Sequence, residues 1–269
     1  MREDLLLVKY GELALKKRNR KMFEEQLMKN IRLKLKPFPD VTIKKTFGRV
    51  FVHLNGTEAA TVIQALQQVF GLVGISPVIR SDLNMEAIKR AAVLLMQKQD
   101  HPGTTFKVET KRSNKKFPHN SQQISREVGG AVLRETDNLQ VDVHQPAVTL
   151  NIEVRALDAY LYNESHTGLG GLPVGASGKA MLLLSGGIDS PVAGFLAMKR
   201  GVEIEAIHFH SFPYTSERSL KKVEDLAQIL TDFGGEINLH VVPFTRIQTE
   251  IREKCEDSFS ITIMRRFML

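Results

Sequence analysis

The chain has 269 residues, 42% of them hydrophobic and 25% charged, with a formal net charge of +7 and one cysteine. That length exceeds one ordinary domain, and the composition is that of folded globular chains rather than disordered ones. The single cysteine, Cys255, excludes an internal disulfide framework and a multi-cysteine zinc site.

No apolar run approaches the roughly 18–20 residues a membrane-spanning helix needs, and the N-terminus lacks the pattern of a signal peptide, so a cytoplasmic protein is expected. The charge is unevenly placed. Residues 1–60 hold 14 Lys and Arg against 7 Asp and Glu, whereas the rest of the chain is close to balance. A basic N-terminal end suggests a polyanion partner, against the plainer reading of a solvated helix face.

In chain order, "LLLVKY" at 5–10 predicts a strand, and Phe23, Leu27, Ile31 and Leu35 at four-residue spacing predict an amphipathic helix from Asn19. "VTIKKT" and "RVFVHL" flank Phe47-Gly48, where a hairpin turn is expected. Ala59 to Phe70 reads as a helix closed by Gly71, and "LVGISPVI" as a returning strand. The order is that of a ferredoxin-like split βαβ over residues 1–76.

Residues 77–165 are again mixed. A helix carries Ile88, Ala92 and Leu95; "TTFKVETKR" is a strand; "SQQISREVGGAVLRE" is a helix; "AVTLNIEVRALDAYLY" is two strands meeting near Ala156-Leu157-Asp158. The alternation in "VTLNIEV" predicts a sheet with one open face. Residues 166–178, with five glycines and a proline, have the composition of a linker.

From 179 the pattern becomes βαβ: strand 180–184, helix 191–200 closed by Gly201, strand 203–209, helix 216–233 closed by Gly234-Gly235, strand 236–243 and a last helix. Strands alternating with helices predict a doubly wound parallel sheet. With only three strands before Leu269, the domain 179–269 reads as incomplete. The fold expected is thus α/β and α+β, multidomain.

The turn between the first two elements of this region, "LLLSGGIDSP" at 182–191, carries the chemistry. Ligands of open parallel sheets bind beyond the carboxyl ends of the strands. Gly186 and Gly187 permit unusual backbone angles and close approach of an anion, and their N–H groups with the following helix N-terminus form a positive concavity. Ser185 and Ser190 add hydroxyls. Asp189 would repel a bare phosphate and makes sense beside Mg²⁺. Pro191 suits a first helical position. The competing reading, a plain βα turn with Ser190 as helix cap, leaves Ser185 and Asp189 without a role. No lysine completes a Walker A loop, and G-x-G-x-x-G is absent.

S-G-G-x-D-S after an aliphatic strand resembles the signature of the PP-loop ATP-pyrophosphatases. "GGLPVGASGKAMLLLSGGIDSPVAGFLAMKRG" is similar in particular to the tRNA 4-thiouridine synthetase (tRNA sulfurtransferase) family, and "KRSNKKFPHNSQQISREVGGAVL" to its RNA-binding THUMP domain. The resemblance spans essentially the whole chain. It implies adenylation of uridine 8 of tRNA with release of pyrophosphate, then displacement of AMP by a persulfide sulfur from an external cysteine desulfurase.

It also implies an ATP site with Mg²⁺. By that resemblance Asp189 is expected to be the essential residue, with Ser185, Gly186, Gly187 and Ser190 at the pyrophosphate, Leu183, Leu184, His208 and Phe209 at the adenine and ribose, and Arg265 reaching the nucleotide. Sulfur supply for the thiazole of thiamine and a homodimer are further family properties.

The loop "TKRSNKKFPHN", with Lys111, Arg112, Lys115, Lys116 and Phe117, joins cations for phosphates to an aromatic for stacking, and Arg126 follows on the next helix. The expected RNA target is the acceptor end of tRNA. His208 and His210, two apart on a strand, make at best a weak metal pair. Cys255 lies among acids and does not match the family's catalytic cysteine. Two rivals remain at this stage: another PP-loop enzyme such as an amidating synthetase, which leaves residues 1–165 unused, and an RNA-binding module with an incomplete or non-catalytic nucleotide site.

Overall fold

The computed structural model describes residues 4–12, 19–46 and 48–269. Phe47 of the expected hairpin and residues 13–18 of the basic N-terminal stretch lie outside the described residues. Two compact units result. The described residues of Met1–Tyr10, Leu35–Gln67 and Leu72–Gly168 form the first, and those of Gly11–Lys34, Gln68–Gly71 and Leu169–Leu269 the second.

The first 77 residues run β1 (Leu5–Tyr10), α1 (Arg20–Lys34), β2 (Thr42–Thr46), β3 (Arg49–His53), α2 (Ala59–Gln67) and β4 (Leu72–Pro77), the predicted ferredoxin-like order. β4, β1, β3 and β2 lie side by side, each pair antiparallel. β1 is apolar along nearly its whole length because both its faces are covered: Leu6, Leu7 and Val8 are fully buried. Thr46 pairs with Arg49, and Gly48 between them has φ +74°, the left-handed angle that favours glycine in a tight hairpin.

A second five-stranded sheet in the same unit is built from β5 (Ile79–Asp82), β6 (Thr105–Arg112), β7 (Gln140–Val141), β8 (Val148–Val154) and β9 (Asp158–Tyr162), in the order β5-β9-β8-β6-β7. Its helices are α3 (Met85–Gln97) and α4 (Ser121–Arg134). Ile88, Ala92 and Leu95 of α3 and Ile124, Val128 and Val132 of α4 close over Phe106, Leu150, Ile152 and Leu161. Burying each large side chain contributes about 1.5–3 kcal/mol. Asn84 caps α3 by accepting from Ala87 N, and Asn120 with Gln123 forms a capping box at α4, so both helix starts are fixed by local hydrogen bonds.

The polar side of β8 is partly open: Thr149 and Asn151 are half-buried, and Glu153 alone is buried, at 4% exposed. β10 (His166–Thr167) pairs with β4 at the edge of the first sheet.

The second unit holds a parallel sheet in the order β11-β12-β13, from β11 (Lys179–Leu183), β12 (Glu203–His210) and β13 (Leu239–Pro243). α5 (Asp189–Lys199) and α6 (Glu217–Gly234) cover one face, where Leu184, Ala206, Val223 and Ala227 pack. Gly194 lets α5 lie close to the sheet, since a Cβ there would stand 2.7 Å from Leu182 Cδ2. α5 ends as predicted at Gly201, φ +86°, with Val202 N bonded to Ala197 O and Gly201 N to Met198 O. On the other face Met181 and Leu183 remain 49% and 43% exposed.

The glycine-rich segment is not a loose tether within this unit. Leu172 and Val174 are buried, Leu172 N bonds Lys199 O, Gly175 N and Ser177 N bond Gly201 O, and Gln26 and Asn30 of α1 donate to Val174 O. Gly170, Gly171, Gly175 and Gly178 all have positive φ, which accounts for the composition. The last predicted helix is two, α7 (Thr245–Lys254) and α8 (Asp257–Phe267), broken at the extended Cys255.

Candidate functional site

The S-G-G-I-D-S turn stands where the strand pattern puts it, between β11 and α5. Its serines close it: Ser185 N donates to Ser190 Oγ at 2.9 Å, and the two hydroxyl oxygens are 3.1 Å apart. α5 begins at Asp189, two residues before the predicted start, so Pro191 is the third helical residue, still within the first turn where no N–H is needed. Ser190 is therefore not the cap, and no side chain caps this helix. The plain-turn reading loses its main support, and the helix N-terminus presents its N–H groups uncapped to the loop.

The glycines need a corrected explanation. Neither Gly186 nor Gly187 has positive φ. A Cβ at Gly186 would meet nothing nearer than 3.6 Å, and one at Gly187 nothing nearer than 3.5 Å, both ordinary contacts. The protein alone thus requires glycine at neither position, whether for backbone angle or for room. What a side chain would obstruct is a partner approaching the backbone from outside.

Asp189 is exposed and forms no ion pair among the described residues. Among those residues no three His, Cys, Asp or Glu side chains stand together as a metal cage. One free carboxylate beside an anion loop fits Mg²⁺ held mainly by phosphate oxygens, and does not fit an all-protein metal site.

Leu184, the last residue before the turn, is buried, and its carbonyl lies 3.0 Å from His208 Nδ1 at the end of β12. With Nδ1 protonated and donating, Nε2 carries the lone pair; it is buried with no partner. An acceptor without a donor at the strand ends is an opening for a nucleotide N–H or O–H. Leu183 faces the uncovered side of the sheet, and Phe209 packs edge-on against Phe244 at 5.5 Å. His210 bonds Thr215 Oγ1 and its ring lies 6.2 Å from that of His208. Arg265 is exposed in the last turn of α8, and no hydrogen bond or ion pair joins it to the loop among the described residues. The structure therefore brings together Leu184, Ser185, Gly186, Gly187, Asp189, Ser190 and His208.

The expected RNA residues divide. Lys111, Lys115, Lys116 and Arg126 are exposed, as a phosphate contact requires. Arg112 instead holds its own loop, donating from Nη1 to Phe117 O and His119 O, each at 3.0 Å. Phe117 is not a stacking platform. It is 6% exposed and belongs to the α3–α4 core with Ile124, because burying a ring beside a helix start outweighs leaving it in water. On α1, Arg20 and Lys21 are paired with Glu24 and Glu25, so part of the N-terminal charge is neutralised locally.

A charge cluster that the sequence did not disclose lies in the same unit. Glu153 Oε1 accepts from Arg49 Nη2 at 3.0 Å, and Oε2 from Arg155 Nη2 at 2.7 Å, with Tyr162 Oη 3.4 Å away. Burial pushes the Glu153 carboxyl up, but the Arg155 and Arg49 hydrogen bonds and charges win and hold it below the usual range. Burial, with Glu153 nearby, pushes Tyr162 up and keeps its proton in place. Lys9 sits over the Tyr162 ring at 4.1 Å; burial, helped by Arg49 and Lys111 and opposed by Glu153, lowers its pKa. Arg49, Lys111, Arg112, Ser113, Glu153 and Arg155 line a cleft of about 260 Å³ with four cations and one carboxylate. An excess of cations around a satisfied acid suits an anionic ligand. The only local signal was Arg155 two residues after Glu153; Arg49 is 104 residues away in sequence.

Comparison with known proteins gives matching family profiles along the chain: "ThiI ferredoxin-like domain" over residues 5–76, "THUMP domain" over 83–164 and "Thiamine biosynthesis protein (ThiI)" over 175–269. A probable tRNA sulfurtransferase of Thermoanaerobacter sp. (strain X514) is 54% identical over 99% of this chain and 69% of its own length. One from Brevibacillus brevis is 50% identical over 100% of this chain and 67% of its own. Among solved structures, a 4-thiouridine synthetase in complex with RNA and bound ATP superposes with a TM-score of 0.87 at 35% identity, covering 98% of this chain and 68% of that one.

Proposed function

The chain belongs to the tRNA sulfurtransferase family, and from that premise we propose that it adenylates uridine 8 of tRNA with ATP and exchanges O4 for sulfur, giving 4-thiouridine. The observation that carries the nucleotide half is the pair Gly186-Gly187, which the protein's own backbone and packing do not demand. ATP bound to the structural relative at 35% identity supports the same reading.

Uridine O4 is a poor leaving group. Its attack on the α-phosphorus forms a P–O bond, breaks the bond to the β-phosphate, and releases pyrophosphate. Addition of a sulfur nucleophile at C4 then expels AMP. In the first step the uncapped α5 N-terminus and the loop N–H groups stabilise charge on the departing pyrophosphate, and Ser185 and Ser190 hold the loop closed. Asp189 would hold Mg²⁺, which supplies charge neutralisation to the phosphates when bound. The buried Nε2 of His208 accepts a hydrogen bond from the nucleoside. No residue of this chain is assigned to the sulfur step, and its donor would be a cysteine desulfurase.

RNA would lie on the cationic cleft and on Lys111, Lys115, Lys116 and Arg126, with the tRNA acceptor end as target. In this reading residues 1–76 are the ferredoxin-like domain, 77–165 the RNA-binding THUMP domain, 166–178 the segment that joins it to the nucleotide domain, and 179–269 the part that handles ATP. Thiazole sulfur supply and a homodimer remain part of the proposal on family grounds.

The test uses the full-length protein, unmodified tRNA, Mg²⁺, and ATP labelled at the α- or γ-phosphate. The expected products are AMP and pyrophosphate, formed only with tRNA and lost in Asp189→Ala. Release of inorganic phosphate, or tRNA binding without turnover, would overturn the reading in favour of an RNA-binding module.

A further inference from the structure

The loop 185–190 has no cation of its own: its one charged side chain, Asp189, is negative. Phosphate loops that carry a lysine solve this locally. Here the backbone N–H groups and one Mg²⁺ would face the β- and γ-phosphates without a direct side-chain cation. A cation supplied by another element is the physical remedy.

Such a cation stands over the loop. The side chain of Lys222, on the second turn of α6, runs across Gly186: its Cδ lies 3.6 Å from where a Cβ of that glycine would be. The next residue, Val223, is fully buried against Leu184, the residue before the loop, so the helix is anchored at this height. The neighbouring Lys221 is committed elsewhere, to Asp225 at 2.9 Å and Glu224 at 3.7 Å. Lys222 is exposed and has no ion pair among the described residues. Its aliphatic stem lies at the glycine, and the ammonium is two bonds beyond Cδ, within reach of an anion bound at the loop.

We propose that Lys222 is the phosphate-binding cation of this loop, pairing with the β,γ-phosphates of ATP. The inference rests on the reading of the loop as an ATP site and adds the residue that the loop motif lacks. A compact ammonium on a flexible stem suits a group that must release pyrophosphate after each turnover.

The experiment measures binding of ATP and of AMP, each with Mg²⁺, to the full-length protein by calorimetry, for wild type, Lys222→Gln and Lys222→Arg. A lysine on the β,γ-phosphates makes Lys222→Gln weaken ATP by about tenfold or more, the worth of a charge-assisted hydrogen bond, while AMP changes by less than about twofold. Lys222→Arg restores part of the ATP affinity. Equal loss for ATP and AMP would mean that the residue only supports the loop, and unchanged ATP affinity would mean that it does not reach the phosphates; either overturns the proposal. A wild-type protein that binds neither nucleotide would instead overturn the ATP reading on which the proposal stands.

Discussion

The two candidate sites use charge in opposite ways. In the first unit, Arg49 and Arg155 are held by a buried carboxylate, and the cleft beside them is preformed by ion pairs of 2.7 and 3.0 Å. In the second, Asp189 and the loop N–H groups stand exposed, with no internal counter-ion among the described residues. A preformed cationic surface suits a large, rigid polyanion whose backbone is bound by shape and charge. An open loop suits a ligand that brings its own cation and must leave after reaction. Changes at the first site should therefore alter stability and RNA affinity together, and changes at the second should alter chemistry alone.

The sharpest test of that contrast is Asp189→Ala. Loss of the charge proposed to hold Mg²⁺ should cut tRNA-dependent pyrophosphate release by about 10²-fold or more, with RNA affinity and urea midpoint unchanged; a parallel loss of RNA binding would merge the two sites.

Glu153→Gln is the counterpart. Replacing the buried carboxylate by a neutral amide removes the counter-charge of two guanidinium groups and leaves one of them facing an NH2 donor, at about 3 kcal/mol. The lower end of the usual range applies because Arg49 and Arg155 keep 24% and 23% of their side-chain surface in water. Urea unfolding followed by a probe in the first unit measures this, and a change below about 0.5 kcal/mol would mean the cluster is ornamental to stability.

The same carboxylate sets a pH dependence. Its folded pKa lies below the ordinary value of about 4.3, so its stabilisation is complete above that pH and is lost as pH falls through the lower folded value. Urea midpoints between about pH 6 and pH 2.5 should fall less steeply in Glu153→Gln than in wild type.

Smaller again is the effect of Lys115→Ala with Lys116→Ala. If both lysines meet phosphates, the slope of log affinity for tRNA against log salt should fall by about 0.9 per lysine on duplex, or 0.7 on single strand. Phe117→Leu should cost about 1 kcal/mol of stability as a near volume-conserving core change, with tRNA affinity nearly unchanged. A large loss of affinity at unchanged stability would restore Phe117 to the RNA.

The sequence by itself determined what depends on near neighbours. Apolar spacing predicted α1, α3 and α4, Gly201 and Gly235 marked the ends of α5 and α6, and the order of strands and helices implied both the ferredoxin-like sheet and the parallel one. The loop between β11 and α5 was legible for the same reason, since six consecutive residues make it. Composition misled where glycine serves more than one purpose. The 166–178 segment reads as a linker, yet its glycines turn a chain whose Leu172 and Val174 are buried.

Only the tertiary structure decided which polar side chains are spent inside and which remain outside. The alternation of β8 is silent on Glu153 because its partner Arg49 comes from a different sheet, and burial of a charge depends on the counter-charge brought to it. Phe117 and Arg112 lie in a loop whose cations suggest RNA, but packing turned the ring into the core and the guanidinium onto its own backbone. Lys222 stands 36 residues from Gly186 and reaches it only because α6 packs beside the loop, a proximity fixed by Val223 against Leu184 and by nothing in the loop itself.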